Sequence, residues 1–397
     1  MKPKEIKKGI FQVGVTDWNI RDFHGYSTES GTTYNAFLIL DEKNVLIDTV
    51  KKEFSDQLID NIKSIIPLEK IDIVISNHTE MDHSGSLPAV MHRVGENKPL
   101  YCSKMGEKNL SLHYQKNWQF HPVQPNETLN TGRYTLTFLE TRMLHWPDSM
   151  FTYLNEEKIL FSSDAFGQHY ASQYLFDDQV EDKIMDYAKK YYANILLLYS
   201  PLVQKLLKQV TDIGLQINMI CPDHGIIWRK DPNRIIKAYH QWSLQKPIKK
   251  AVLIYDTMWH STETMAEHIV QGIADTGTEV IPMHLRKCHR SDIMTEVFDA
   301  KAIIIGSPTL NNGLYPTISD LITYMKGLKP KNKIGAAFGS YGWSGEAVAL
   351  INQEFDAMKI SRVDDGLKIQ FVPDKKVLDQ CSEYGQKIGQ LIQKEDA

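Results

Sequence analysis

The sequence predicts a two-domain α/β protein, and three observations carry that expectation. The chain has 397 residues, too many for one ordinary core and suited to two domains of about 150–250 residues. Up to residue 245, short apolar runs of strand length are interspersed with helical patterns. Beyond that point strands and helices alternate strictly, the pattern of a parallel, doubly wound sheet.

The elements follow in order. "NAFLILDEKNVLIDT" reads as two apolar strands around a polar turn at Asp41–Asn44, a hairpin. "KIDIVIS" is a short buried strand, "YTLTFLET" another, and "FTYLNEEKILFSSD" a hairpin turning at Asn155-Glu156. "LQINMICPDHG" is a strand running into a loop. Helical patterns cover 52–65 and 180–209, the second broken near Ser200-Pro201. "SLQKPIKK" is polar and carries a proline, as a linker would, which places the boundary at about 248 and the domains at 1–248 and 249–397. Then come "KAVLIYD", a helix at 262–275, "EVIPMHL", a helix at 291–300, "KAIIIGS", a helix at 317–327, "KIGAAFGS", a helix at 344–358, "LKIQFV" and a helix at 375–393. Five strands alternate with five helices.

Composition excludes several classes. Hydrophobic residues make up 42% and charged residues 24%, the mix of a globular protein. A net charge of −4 offers no electrostatic case for nucleic acid. The basic start "MKPKEIKKGIFQV" has no apolar stretch behind it, so no signal peptide is expected. No apolar run approaches the roughly 18 residues of a membrane helix. Cys102, Cys221, Cys288 and Cys381 form no C-x-x-C, which argues against an iron–sulfur or rubredoxin-type centre and fits a reducing cytoplasm.

The chemistry concentrates in "SNHTEMDHSG". His78, Glu80, Asp82 and His83 form H-x-E-x-D-H on a loop leaving an apolar strand, where a turn needs none of them. His145 in "MLHWPDSM", Asp164 in "LFSSDAFGQH" and His224 in "CPDHGIIW" also sit at strand–loop junctions, from which a rigid scaffold can aim them at one point. Four imidazoles and three carboxylates exceed one ion, whereas two ions bridged by a carboxylate would use them all. N and O donors without thiolate suit Fe, Mn or Zn, and the carboxylates favour a redox pair. His24, His113, His121 and His169 take the ordinary expectation for a loop histidine, a solvated surface.

On these residues the chain resembles the flavodiiron proteins, over essentially its whole length. That family joins a metallo-β-lactamase-like αββα sandwich to a flavodoxin-like doubly wound parallel sheet, in this order. Its H-x-E-x-D-H is followed by a His about sixty residues on, an Asp about twenty later and a His about sixty beyond, matching His145, Asp164 and His224. The resemblance implies one iron on His78, Glu80 and His145, another on Asp82, His83 and His224, and Asp164 bridging them. It also implies a histidine at the open face, matching His24 in "RDFHG", and a tyrosine in "KYYANI", Tyr191 or Tyr192, with Tyr192 taken as the expectation. Hydrolases of this fold carry a second His where this chain has Glu80 and use two zinc ions, so a dinuclear zinc hydrolase fused to a flavodoxin-like domain is the alternative.

The second domain points to FMN. "YDTMWHSTETMA" opens its first helix with Thr257, Met258, Trp259, Ser261, Thr262 and Thr264, a hydroxyl-rich, uncharged loop at a helix N-terminus that resembles a flavodoxin phosphate site. "GSPTLNNGLYP" adds Ser307, Pro308, Thr309, Asn311 and Asn312, and "FGSYGWSGEA" adds Ser340, Tyr341, Gly342 and Trp343. Both loops leave carboxyl ends of strands, where open α/β sheets bind ligands, and Tyr315, Tyr341 and Trp343 could flank a flavin ring. The resemblance implies reduction of O2 to water and/or NO to N2O at a non-haem diiron site fed through FMN. No C-x-x-C pair and no G-x-G-x-x-G site appear, so the electrons should come from a separate donor, rubredoxin or a reduced deazaflavin. The resemblance further implies a head-to-tail homodimer or a dimer of dimers. The same ligands serve both gases, so the preference stays open.

Overall fold

A seven-stranded sheet opens the fold, in the order Lys4–Lys7, Ile10–Gln12, Phe37–Ile39, Asn44–Ile47, Ile71–Ile75, Pro99–Ser103 and Gln119–Val123. The computed structural model describes residues 2–394. The first four strands run antiparallel and the rest parallel. A five-stranded sheet faces it: Thr128–Asn130, Thr135–Glu140, Met150–Leu154, Ile159–Phe161 and Met219–Cys221. Strand alternation assigns the layers. Phe37, Ile39, Val45, Ile47, Ile73 and Ile75 meet Leu136, Phe138, Met150, Leu154 and Phe161 between the sheets. The intervening Leu38, Leu46 and Val74 point the other way, onto Leu58, Ile62, Val90 and Leu110 of the helices Ser55–Lys63, Leu87–Val94 and Lys104–Tyr114. On the far side, Phe151 and Leu160 of the second sheet face Leu206 and Leu207 of the helix Ser200–Asp212. The result is an αββα sandwich.

The hairpin 37–47, the strand 71–75 and the hairpin 150–161 lie where the sequence places them. The strands Lys4–Lys7 and Gln119–Val123 went unanticipated. They are the sheet's two edges, half solvated and carrying charge or a proline, so no apolar run announces them. The pattern over 180–209 is not one helix. A helix Ile184–Tyr191 gives way to π and 3-10 turns over 192–199 before Ser200–Asp212 resumes, with Pro201 in its first turn, where a missing N–H costs nothing.

The sheet of the second half has six strands, all parallel: its five longer ones take the order Glu279–His284, Ile248–Tyr255, Ala300–Gly306, Ile334–Tyr341 and Leu367–Gln370, and the short Ser361–Arg362 also pairs with Ile334–Tyr341. Helices Ser261–Ala274, Arg290–Asp299, Pro316–Leu328, Ala347–Ala357 and Lys375–Gln393 alternate with these strands. This 2-1-3-4-5 order is flavodoxin-like, with its topological switch point between Ile248–Tyr255 and Ala300–Gly306. The compact units do not follow the chain continuously. One holds the chain through His24, Thr28–Tyr191 and Tyr199–Ser243; the other holds Gly25–Ser27, Tyr192–Leu198 and Leu244 onward. Within the second unit, Ser27 N donates to Ser291 Oγ at 3.0 Å, Asn194 Nδ2 donates to Ser291 O at 3.0 Å, and Tyr192 packs on Phe298. Short pieces of early sequence thus dock on the helix Arg290–Asp299, which no local pattern reveals.

Candidate binuclear metal centre and flavin loops

Seven side chains converge at one rim of the αββα sandwich, each delivered by the end of a strand. His78 and Glu80 leave Ile71–Ile75, and a single helical turn, Met81–Ser84, swings Asp82 and His83 inward. His145 lies between Thr135–Glu140 and Met150–Leu154, Asp164 follows Ile159–Phe161, and His224 follows Met219–Cys221. Asp164 stands in the middle. Its Oδ2 is 3.1 Å from His78 Nε2 and 3.0 Å from His145 Nε2, whose nitrogen is in turn 3.0 Å from Glu80 Oε2. Its Oδ1 is 3.5 Å from His224 Nε2. On that side Asp82 Oδ2 lies 3.0 Å from His224 Nε2 and 3.4 Å from His83 Nε2, and the two histidine nitrogens are 3.2 Å apart.

These separations test the site for metal. With bonds of about 2.1 Å, adjacent donors around an octahedral ion lie about 3.0 Å apart, and around a tetrahedral ion about 3.4 Å. All of the spacings above fall in that interval except Asp164 Oδ1–His224 Nε2, at 3.5 Å. Both Asp82 oxygens, both Asp164 oxygens and His78 Nε2 are buried without a hydrogen-bond partner among the described residues, a costly arrangement unless a cation satisfies them. Four overlapping groups bring ligand atoms within 4.8 Å of one another among the described residues: His78–Glu80–Asp164, Asp82–His83–His224, and two that include Asp223, Asp48–His78–Asp223 and His83–Asp164–Asp223. The donor set fits a pair of ions.

The electrostatics agree. Burial alone would depress His78, but the Asp164 carboxylate beside it, with Asp223 and Asp82, holds it well above its ordinary value. His145 is likewise opposed by burial, yet Asp164 and Glu80 push it up to about 10. Burial would raise Asp82 and Asp164, but their histidine neighbours hold both well below the carboxylate range. A frame of buried polar groups fixes the ligands. Asp48 accepts from Asn77 N and Nδ2, both at 2.7 Å, and Asp148 accepts from Thr79 Oγ1, which pins the start of the H-x-E-x-D-H loop on either side of His78. Ser163 Oγ lies 3.0 Å from His78 Nδ1, and His224 Nδ1 lies 2.7 Å from the Thr33 carbonyl. A carbonyl only accepts, so Nδ1 of His224 carries the proton and the Nε2 lone pair is free for a metal. Sequence reasoning missed Asp48, Asp148 and Asp223. Asp48 and Asp223 follow apolar runs, in "VLIDT" and "MICPDHG", whereas Asp148, in "HWPDS", carries no such signal.

The weaker expectations sort differently. His24 is exposed, its ring edge-on to Phe23 at 4.7 Å, and Phe23 packs on His169 and His224. Of the tyrosine pair, Tyr191 has its ring 6.0 Å from His224, while Tyr192 packs 5.7 Å from Phe298 in the other unit. The helix unwinds into π turns from Tyr192 onward, so the adjacent side chains pack differently, Tyr191 beside His224 and Tyr192 on Phe298. The expectation of a solvated His169 also fails. It is 2% exposed, with its ring 4.7 Å from His224, because the loop after Asp164 folds back across the metal rim. His113 is exposed and His121 half-exposed, as expected.

In the second unit the three hydroxyl-bearing loops meet at the switch point. Thr262 Oγ1 and Ser340 Oγ are 2.8 Å apart, Thr309 N donates to Ser340 O at 2.9 Å, and Ser344 Oγ donates to Asn312 Oδ1 at 3.1 Å. Tyr315 N donates to Ser307 Oγ at 3.2 Å. Thr257 Oγ1 is buried and unpartnered among the described residues, a vacant donor suited to a phosphate oxygen. Trp259 and Trp343 are 87% and 86% exposed, so these rings cover no core of their own unit. No cation sits in the first loop, but Arg286, from the end of Glu279–His284, donates to Thr257 O at 3.1 Å and Tyr315 OH at 2.6 Å and pairs with buried Asp256 at 3.0 Å. That clamp was not anticipated, because it joins residues from three separate loops.

Fold and site together define a binuclear carboxylate–histidine centre on a metallo-β-lactamase-like domain, joined to a flavin-type doubly wound sheet. A family profile described as ODP family beta lactamase matches residues 32–225, and a flavodoxin profile matches 253–385. A nitric oxide reductase of Moorella thermoacetica is 46% identical over 98% of this chain and 99% of its own length. The solved rubredoxin oxygen:oxidoreductase of Desulfovibrio gigas superposes with a TM-score of 0.96 at 41% identity, covering 98% of each chain. The flavodiiron protein of Giardia intestinalis superposes with a TM-score of 0.95 at 35% identity, over 99% of this chain and 97% of that one. The chain belongs to the flavodiiron protein family. It is an oxidoreductase, and its cofactors are FMN and a non-haem diiron centre.

Proposed function

We propose that this chain reductively scavenges O2 and/or NO at its diiron centre, with electrons arriving through FMN. O2 takes four electrons and four protons to give two waters; two NO take two electrons and two protons to give N2O and one water. Reduced FMN and a diferrous centre supply two electrons each when bound. In this reading residues 1–248 serve as the diiron domain and 249–397 as the FMN domain. His78, Glu80 and His145 would hold one iron, Asp82, His83 and His224 the other, with Asp164 shared between them. The carrying observation is the split of Asp164, Oδ2 toward His78 and His145 and Oδ1 toward His224. A zinc hydrolase would be expected to offer nitrogen where Glu80 offers a carboxylate.

The chain's own residues do the rest. The side chains of His78, Asp82, His83, Asp164 and His224 are at most 3% exposed and seal the inner side of the site. Those of His145 and Glu80 are 22% and 13% exposed, leaving the edge where a gas would enter. The proposed proton sources are His24 and the Tyr191–Tyr192 pair, with the Tyr191–His224 contact favouring Tyr191. Thr257, Met258, Trp259, Ser261, Thr262, Ser307, Pro308, Thr309, Asn311, Asn312, Ser340, Tyr341, Gly342 and Trp343 are proposed to bind FMN.

The donor in this reading is rubredoxin, as named for the Desulfovibrio gigas relative, with a reduced deazaflavin as the other outcome. Assembly is a head-to-tail homodimer or a dimer of dimers, in which the flavin of one chain serves the irons of another; the exposed Trp259 and Trp343 support it. No helix among the described residues is long and apolar enough to cross a membrane. A cytoplasmic location belongs to the proposal, supported by four free thiols. The test is anaerobic reduction of iron- and FMN-loaded protein, then mixing with O2 or NO in parallel. Rapid reoxidation by at least one gas is expected, and the faster one is the substrate. No reoxidation by either, with hydrolytic turnover on a zinc-loaded sample, would revive the hydrolase.

A further inference from the structure

His169 belongs to no ligand set, yet it is buried in the loop that carries Asp164. Its Nδ1 lies 2.8 Å from Thr32 Oγ1, and the same hydroxyl lies 3.3 Å from His224 Nδ1. His224 must give its Nδ1 proton to this side if Nε2 is to face a metal, and the Thr33 carbonyl takes it at 2.7 Å. His224 Nδ1–H donates to Thr33 O, and the Thr32 hydroxyl lies between the two rings, hydrogen-bonded to His169 Nδ1 and 3.3 Å from both His224 Nδ1 and Thr33 O, to which it can donate. One in-plane bond holds a ring poorly, because the terminal torsion of histidine is broad. Anchoring the Thr32 hydroxyl keeps the Thr32–Thr33 segment, and with it the accepting carbonyl, in register with His224.

We propose that His169 is a positioning residue for His224: through Thr32 it fixes the orientation of that imidazole, and so the retention and electronic character of the iron that His224 ligates. The proposal rests on the assignment of His224 to an iron. Partners that orient metal-bound histidines are worth about 10–100-fold in metal affinity.

The test compares His169→Asn, His169→Phe and Thr32→Val in iron- and FMN-loaded protein. Asn can replace the Nδ1 hydrogen bond with either Oδ1 or Nδ2; Phe keeps the ring's bulk but makes no hydrogen bond; Val keeps the shape of Thr32 without its hydroxyl. Readouts are iron retained against graded chelator, the electron paramagnetic resonance spectrum of the half-reduced centre, and FMN content as a control for the fold. His169→Phe and Thr32→Val are expected to weaken retention of one iron by about 10–100-fold and to shift the spectrum, with FMN retained. His169→Asn is expected to lie closer to wild type. Retention of iron by Phe equal to or better than by Asn, or a Thr32→Val protein identical to wild type, would overturn the proposal, since bulk alone would then suffice. His224→Ala, run in parallel, separates the two levels. If it keeps both irons, the ligand assignment fails; if it loses iron while the other variants match wild type, only the positioning role fails.

Discussion

Asp164 shows how much a single carboxylate decides here. With its two oxygens turned toward different ligand sets, it is the one side chain common to both proposed irons. Asp164→Ala is expected to lose both irons while keeping FMN, measured by iron and flavin content of the same sample; a variant retaining one iron would contradict the bridge. The charges give a second test, in metal-free protein. His145 is raised from 6.5 to about 10, so its contribution to stability is full below 6.5 and is lost as pH rises through about 10. Asp82 and Asp164 are depressed below 3.8, so theirs is present above that value and is lost as pH falls through their lowered values. Unfolding midpoints of metal-free protein should therefore drop on the alkaline side. Iron ligates neutral imidazole and should flatten that drop, and iron binding near neutral pH should release protons to an indicator dye.

At the scale of elements, the loops matter more than the strands they leave. Gly225, next to His224, has φ +83°, and a Cβ there would lie 1.6 Å from Gln168 Oε1. Its N–H donates to Thr33 Oγ1, and Asn35 Nδ2 donates to its carbonyl. Gly225→Ala should cost about 1–3 kcal/mol in urea unfolding of the metal-free protein and displace His224 enough to weaken iron retention. An unchanged midpoint would show that the loop can yield. In the flavin unit, Thr257→Val keeps shape but removes the unpartnered buried hydroxyl. FMN affinity in a fluorescence titration should fall about tenfold, about 1.4 kcal/mol, with iron content untouched. The H-x-E-x-D-H loop and the three flavin loops were legible because each packs its polar residues within a few positions after a strand. The clamps at Asp48, Asp148 and Arg286 were not, because their partners lie far away in sequence.

For the whole molecule, the proposed head-to-tail assembly predicts a dimer or tetramer in sedimentation, with Trp343→Ala weakening both association and gas turnover. A monodisperse monomer with full turnover would remove that proposal. The αββα sandwich and the parallel flavodoxin-like sheet were readable from apolar periodicity and strict alternation, because strand and helix periods are local properties of the chain. The distribution of chain between units was not: Gly25–Ser27 and Tyr192–Leu198 join the second unit by docking on distant residues.

By itself, the sequence determined the two α/β folds, the seven metal-ligand candidates and the flavin loops, because ligand chemistry and strand-end spacing are written in residue order. Tertiary structure alone decided the rest: Tyr191 rather than Tyr192 beside His224, and the burial of His169 behind the metal rim. Each of these depends on how a loop or an unwound turn folds back on partners far along the chain, and such contacts leave no periodic trace.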